Sequence, residues 1–210
     1  MIEYPSARGA WIVTLLVAGL VGPAAAHGPV PPRAGASPLS ATPHLAVIKP
    51  APDFVLRDLD GAAVRLADLR GRPVLVSFIY THCTTVCPLL SARVAALQRR
   101  LAALPAVRRP ALLSITVDPE RDSAAELRRY ATRFAADRTT WRFLRDDPAA
   151  LAPVLHAWGE WARPTADGEI DHPARVHLID AAGRIREIYS LQFFDDRQAW
   201  LDMQALLRER

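Results

Sequence analysis

Residues 74–88 read VLVSFIYTHCTTVCP, and this stretch decides the fold. Its first seven residues are apolar and rich in β-formers, the pattern of a strand buried on both faces of a sheet. Two cysteines, Cys83 and Cys87, follow at once. Pro88 suits a first helical position, because its missing N–H would have no partner there anyway. Over residues 88–104, Leu89, Leu90, Val94, Leu97, Leu101 and Leu104 recur at helical spacing, with Arg93, Arg99 and Arg100 between them. The pattern predicts a central strand that passes through a cysteine-bearing loop into an amphipathic helix.

On the N-terminal side, residues 54–56 and 64–66 flank Asp58-Leu59-Asp60-Gly61, which reads as a hairpin. On the C-terminal side, 111–117 is a second apolar strand, and Ser123 with Glu126 makes a capping box for a helix reaching about residue 135. A short strand at 141–144, a helix at 148–158 and a hairpin of 175–179 with 184–189 about Asp180-Ala181-Ala182-Gly183 come next. A helix at 196–207 closes the chain, apolar at Trp200, Met203, Leu206 and Leu207. Strands alternating with helices predict an α/β fold: a mixed central sheet with helices on both faces and an added N-terminal hairpin. No G-x-G-x-x-G, P-loop or G-x-S-x-G occurs, which argues against nucleotide-binding and serine-hydrolase functions.

At 210 residues the chain suits one domain with appended segments. The net charge of +4 comes from arginine almost alone, since Lys49 is the only lysine. Arg99-Arg100, Arg108-Arg109 and Arg128-Arg129 sit on separate segments without interleaved aromatics, the pattern of solvated helix faces; no nucleic-acid partner is expected. Residues 1–26 read as a targeting segment: Arg8, an apolar run over 10–21, then Ala24-Ala25-Ala26 in A-x-A form. The apolar run falls short of the ~20 residues a bilayer core requires, so cleavage after Ala26 is favoured over retention as a membrane anchor. Export to the periplasm or the outer face of the cytoplasmic membrane follows, with membrane association only if the segment is retained. Residues 27–50, rich in proline, alanine and glycine, read as a linker, leaving 51–210 as the folded domain.

The sequence contains two cysteines, and an oxidising compartment makes idle thiols unexpected. At a strand-to-helix junction, free backbone N–H groups and the helix dipole favour negative charge, so thiolates are stabilised. Four-residue spacing brings two sulfurs to one side, as a disulfide or as a metal pincer. Soft monovalent copper favours thiolate sulfur, and one imidazole would complete a three-coordinate shell; divalent copper would also accept such ligands. Six histidines are available: His27, His44, His82, His156, His172 and His177.

Three stretches carry a resemblance. PDFVLRDLDGAAVRLADLRGRPVLVSFIYTHCTTVCP (52–88), SITVDPERDS (114–123) and IDHPARVHLIDAAGRI (170–185) follow the motif order of the Sco/SenC family, so the chain from about residue 51 resembles these copper-handling proteins. The resemblance implies a thioredoxin-like fold. It also implies a copper ion bound by Cys83, Cys87 and His172, with Asp171 preceding the histidine. The implied function is a metallochaperone delivering copper to the copper-A site of cytochrome c oxidase, with that subunit or another cuproprotein as partner and a thiol reductant keeping the cysteines open. The alternative is a thiol-disulfide oxidoreductase in which Cys83 and Cys87 form a redox-active pair that reduces a partner cuproprotein. The three-residue insert departs from the C-x-x-C of general reductants and favours copper. Pro173 departs from the small hydroxyl residue the family more often has, which bears on backbone geometry at the ligand. Among the other histidines, His82 is expected to point elsewhere, His156 to pack within its helix and His177 to lie on the sheet surface. Turn chemistry leading into the Ser123 cap accounts for the loop from Asp118 to Asp122.

Overall fold

The computed structural model describes residues 39–40, 43–191 and 193–209. In chain order the elements are β1 (Lys49–Pro50), β2 (Val55–Asp58), β3 (Ala63–Arg65), β4 (Val74–Ile79), α1 (Val86–Leu101), β5 (Ala111–Thr116), α2 (Ala124–Arg133), β6 (Trp141–Arg145) and α3 (Pro148–Trp158). Then follow β7 (Arg163–Pro164), β8 (Ile170–Asp171), β9 (Arg175–Ile179), β10 (Arg184–Ser190) and α4 (Asp196–Arg208). Among these residues eight strands form one sheet in the order β1-β10-β9-β4-β5-β6-β2-β3, while β7 and β8 make a small separate ladder. β4, β5 and β6 are parallel, β9 runs antiparallel to β4, and the β2–β3 hairpin is appended beyond β6. This is the α/β, thioredoxin-like arrangement expected.

Every residue of β4 is buried because the strand is covered on both faces. Consecutive residues point to opposite sides, and Ser77 and Phe78 show what each side meets. Phe78 packs against Trp158 at the end of α3, whose ring also meets Phe54 and His177. On the other side the Ser77 hydroxyl lies 2.9 Å from that of Ser114 on β5, and Trp141 Nε1 donates to Ser114 Oγ at 2.9 Å. The same side carries α2, whose Tyr130 ring meets Phe143 and whose hydroxyl lies 2.8 Å from Ser91 Oγ on α1.

Local chemistry sets the helix ends. Asp147 caps α3 by accepting the Ala150 N–H, Pro148 occupies the first helical position, and Gly159 ends the helix at φ +71°. Ser123 caps α2 through the Glu126 N–H, but the Glu126 carboxylate pairs with Arg129, so half of the expected capping box forms. α1 starts at Val86, which moves Pro88 from the first to the third helical position; N–H groups there still have no intrahelical partner.

Three expectations are corrected, and one element is new. The linker was expected to run to Pro50, yet Leu45 is buried and β1 pairs with β10, because the apolar run around Leu45, Val47 and Ile48 can join a sheet edge. His156 is exposed on α3, since it follows Leu155 and lies off the stripe of Leu151, Leu155 and Trp158. His177 is buried instead of lying on the sheet surface, because β9 is an inner strand with both faces covered. The β7–β8 ladder was not expected at all. The 1–26 segment lies outside the described residues, and among the described residues no helix is long and apolar enough to cross a membrane.

The buried hydroxyl network gives a test of packing. Ser114→Ala removes no apolar contact but leaves Trp141 Nε1 without its acceptor and Ser77 without one of its partners. It should lower the unfolding free energy by about 1–3 kcal/mol in urea denaturation, whereas a shift near zero would show that the network is dispensable.

Candidate metal centre

The first turn of α1 needs acceptors for N–H groups that have no intrahelical partner. Its N-cap, Thr85, supplies no side-chain hydrogen bond. Cys83 does so instead: its sulfur accepts the Cys87 N–H at 3.3 Å. The junction read from the sequence therefore folds one thiol over the start of the helix that carries the other. Both cysteines are buried and unbridged.

His172 arrives on the segment that leads into β9, the strand paired with β4. β8 ends at Asp171, and the chain turns through Pro173 and Ala174, which sits in the left-handed region at φ +50°, before β9 begins. The Ala174 N–H donates to His172 Nδ1 at 3.2 Å, which leaves the ring proton on Nε2. That nitrogen lies 3.9 Å from Cys87 Sγ. Cys83, Cys87 and His172, separated by 85 residues in the longest step, are thus brought together.

The two thiols share one negative charge. The Cys83 thiol is lowered to about 4, chiefly by the hydrogen bond from Cys87 against the opposing cost of burial, with help from the backbone N–H groups of Cys87 and Thr85 and from Tyr80. Cys87 is pushed up by the same thiolate and by burial. Burial holds His172 below the usual imidazole value, with the charges of Glu160, Cys83 and Asp171 acting in the other direction. The site at neutral pH is a thiolate, a thiol and a neutral imidazole: soft donors facing one another.

The other expected candidates lie elsewhere. His82 is exposed beside Asp122, 3.8 Å from its carboxylate. His82, Asp118 and Asp122 have potential ligand atoms within 4.8 Å of one another, yet Arg121 engages Asp118 and two threonine hydroxyls engage Asp122. Asp122 does more than turn the chain: fully buried, it accepts the Thr81 N–H at 3.2 Å and the hydroxyls of Thr81 and Thr116 at 2.5 Å each. Burial raises its carboxyl pKa. It ties the loop before Cys83 to the end of β5. His44 is exposed, and His27 lies outside the described residues.

Sequence reasoning also missed three features. Tyr80 and Glu169 hydrogen-bond across 89 residues of chain, a pairing no local pattern announces. Behind His172, Glu160 lies fully buried with Oε1 3.6 Å from His177 Nε2 and 3.7 Å from Arg175 Nη1. Neither its oxygens, nor the His177 nitrogens, nor Trp158 Nε1 have a hydrogen-bond partner. The Ala174 turn is the third, and Pro173 was its only sequence signal.

A family model described as SCO1/SenC matches residues 46–208. The SCO1 protein homolog of Bacillus subtilis is 27% identical over 140 residues, covering 65% of this chain and 72% of the relative. The mitochondrial SCO2 homolog of Mus musculus is 40% identical over 145 residues, covering 65% of this chain and 54% of the relative, so the match spans about half that protein's length. Among solved structures, Bradyrhizobium japonicum ScoI with copper bound is 32% identical, with a TM-score of 0.62 over 73% of this chain and 97% of that one. BsSco, a member of the Sco family of cytochrome c oxidase assembly proteins, shares the fold at 21% identity, with a TM-score of 0.68 over 80% of this chain and all of that one.

Thiolate absorbance at about 240 nm in the reduced chain should rise in a first step with its midpoint near pH 4. In Cys87→Ala that midpoint should move up toward the ordinary thiol value of about 8.5, because the hydrogen bond that most stabilises the thiolate is gone. An unmoved midpoint would assign the stabilisation to the helix terminus alone.

Proposed function

The chain belongs to the SCO1/SenC family, and from that membership we propose that it binds one copper(I) ion between Cys83, Cys87 and His172 and delivers it to another copper protein. The observation that carries this reading is the approach of His172 Nε2 to within 3.9 Å of Cys87 Sγ, across a pair of unbridged, buried cysteines. The donor set suits the cargo, since thiolate sulfur and imidazole select monovalent copper over harder cations. A copper-bound relative at 32% identity supports the same assignment. We assign the copper-A subunit of cytochrome c oxidase, or another cuproprotein, as the acceptor, and a thiol reductant as the source of the open cysteine pair. From the expected targeting segment over residues 1–26 we assign this work to the periplasm or the outer face of the cytoplasmic membrane.

Loading is an exchange of cations. Cys83 offers a thiolate, and Cys87 gives up its proton as copper(I) arrives. His172 binds through Nε2 while its ring proton passes to Nδ1, where the Ala174 N–H now opposes it. One proton leaves for one copper, so the buried charge does not change. Release follows when a partner's ligands displace these three one at a time, the imidazole being the weakest-held of them.

The ionised Cys83 also favours a second reading, thiol-disulfide exchange. Its thiolate would attack a partner disulfide and expel a partner thiolate. Cys87, losing its proton, would then attack Cys83 in the mixed disulfide, leaving a Cys83–Cys87 disulfide and a reduced partner dithiol. The raised Cys87 pKa slows that second step, because a thiol that holds its proton is a poor nucleophile. The geometry therefore suits ligation better than rapid exchange.

Competitive copper(I) titration of the reduced chain separates the two. Cys83→Ser and Cys87→Ser should each weaken binding by orders of magnitude, and His172→Ala by about tenfold or more, while His172→Ala leaves disulfide reduction nearly intact. Binding indifferent to His172 would favour the exchange reading. The affinity should also rise about tenfold per pH unit between roughly pH 6.5 and 8, where His172 is neutral and one proton is released per copper. A flat profile would contradict a protonated Cys87.

A further inference from the structure

Tyr80 follows β4 and stands three residues before Cys83. It is buried, and its hydroxyl makes two hydrogen bonds to the segment that carries His172. It donates to Glu169 Oε2 at 2.5 Å and accepts the Ile170 N–H at 3.2 Å. The second oxygen of Glu169 accepts from Thr84 Oγ1 at 3.4 Å, and Thr84 lies between the two cysteines. One carboxylate and one phenol therefore join the cysteine loop to the residues just before His172. The Tyr80 ring also meets the His172 ring edge-on, with centroids 5.7 Å apart.

Apart from the packing of Ile170 into the core, little else among the described residues ties that segment to the cysteine loop. β8 is two residues long and pairs only with the two residues of β7, a ladder too short to be stable alone. Among the described residues the segment's other side-chain hydrogen bonds include those of Arg121, which donates to the Gly168 carbonyl at 2.7 Å, and of the Thr165 turn closed by Asp167. Neither reaches the cysteine loop.

We infer that Tyr80 and Glu169 are positioning residues, a strap that holds β8, and with it His172, against the cysteine pair. The strap is a property of the metal-free chain, and its effect on copper rests on the reading of the site given above. Tyr80→Phe keeps the ring and its contact with His172 but leaves the Ile170 N–H without a partner and Glu169 with Thr84 alone. Glu169→Gln keeps the side-chain shape and removes the charge that shortens the Tyr80 hydrogen bond. Freed from the strap, His172 spends less time at the sulfurs, and a ligand present for a smaller fraction of time lowers the apparent affinity in proportion.

Tyr80 also approaches Cys83 and helps stabilise its thiolate, so a test must separate action through His172 from action through the sulfur. Two measurements do this. In the metal-free chain, amide hydrogen exchange over 170–174 should speed up in Tyr80→Phe and in Glu169→Gln, while exchange in β4 and α1 stays unchanged. In copper(I) competition, Tyr80→Phe should weaken binding by about fivefold or more in the wild-type background and by less than about twofold in His172→Ala. Equal weakening in both backgrounds would place the effect on Cys83 and overturn the inference, as would wild-type-like affinity in Tyr80→Phe. If the wild-type chain binds copper weakly, the copper reading fails by itself. The exchange experiment then decides for the strap if 170–174 opens, and against it if that segment is unchanged.

Discussion

The hydrogen bond from the Cys87 N–H to Cys83 Sγ is the contact on which the site depends. A helix that begins beside a sheet edge must find acceptors for its first N–H groups, and here Thr85 supplies none through its side chain. Sulfur in that role is held near the positive end of the helix dipole, which favours its ionised form. One contact therefore fixes where the first sulfur sits, brings it within reach of the second and biases which of the two carries the charge. The rest of the fold serves this junction: β4 is buried along its whole length so that its last residues leave the sheet at a fixed point, and Asp122 anchors the Thr81 backbone and hydroxyl to β5.

The architecture was largely readable because its elements follow simple rules. β4 is apolar throughout, α3 has a capping aspartate, an opening proline and a terminal glycine, and β9–β10 turn about Asp180, which accepts the Ala182 and Arg184 N–H groups. The errors have physical reasons. His177 alternates correctly for a strand with one wet face, but β9 has none, so periodicity could not reveal its burial. β7 and β8 are too short to carry a period, and their pairing is a tertiary effect. The cysteine pair was legible from two residues at a junction. His172 was legible only through a resemblance, because nothing in its own neighbourhood distinguishes it from five other histidines. Tyr80 and Glu169 were not legible at all, since each makes sense only beside the other.

Polar burial is distributed unevenly around the site. The Ser77–Ser114–Trp141 group and the Asp122 group have their partners in place, and such networks rigidify the framework. Behind His172 the opposite holds: Glu160, His177 and Trp158 bury five polar atoms without hydrogen bonds. Arg175, partly solvated, lies near enough to Glu160 to offset part of its charge. The cysteine side of the site is thus the one whose buried polar groups have partners, and the histidine side is the one with buried polar atoms that have none.

Charge bears on which ligand of the proposed copper site detaches. In that site two thiolates and a neutral imidazole around a monovalent ion would carry a net negative charge, the same as the thiolate, thiol and imidazole of the metal-free site. Taking up copper(I) in exchange for the Cys87 proton therefore adds no charge to a buried region, and the desolvation cost that penalises ions in low dielectric is already met by the fold before the ion arrives. A divalent ion would change that balance, and so would removing the proton before copper is present. The sulfurs can consequently stay where they are through loading and release. What must move is the neutral ligand, whose departure leaves no uncompensated charge behind. A carrier that must both hold and surrender its ion is best served by placing its mobile part at the one donor that costs no charge to detach, and under the proposed copper reading that donor is His172.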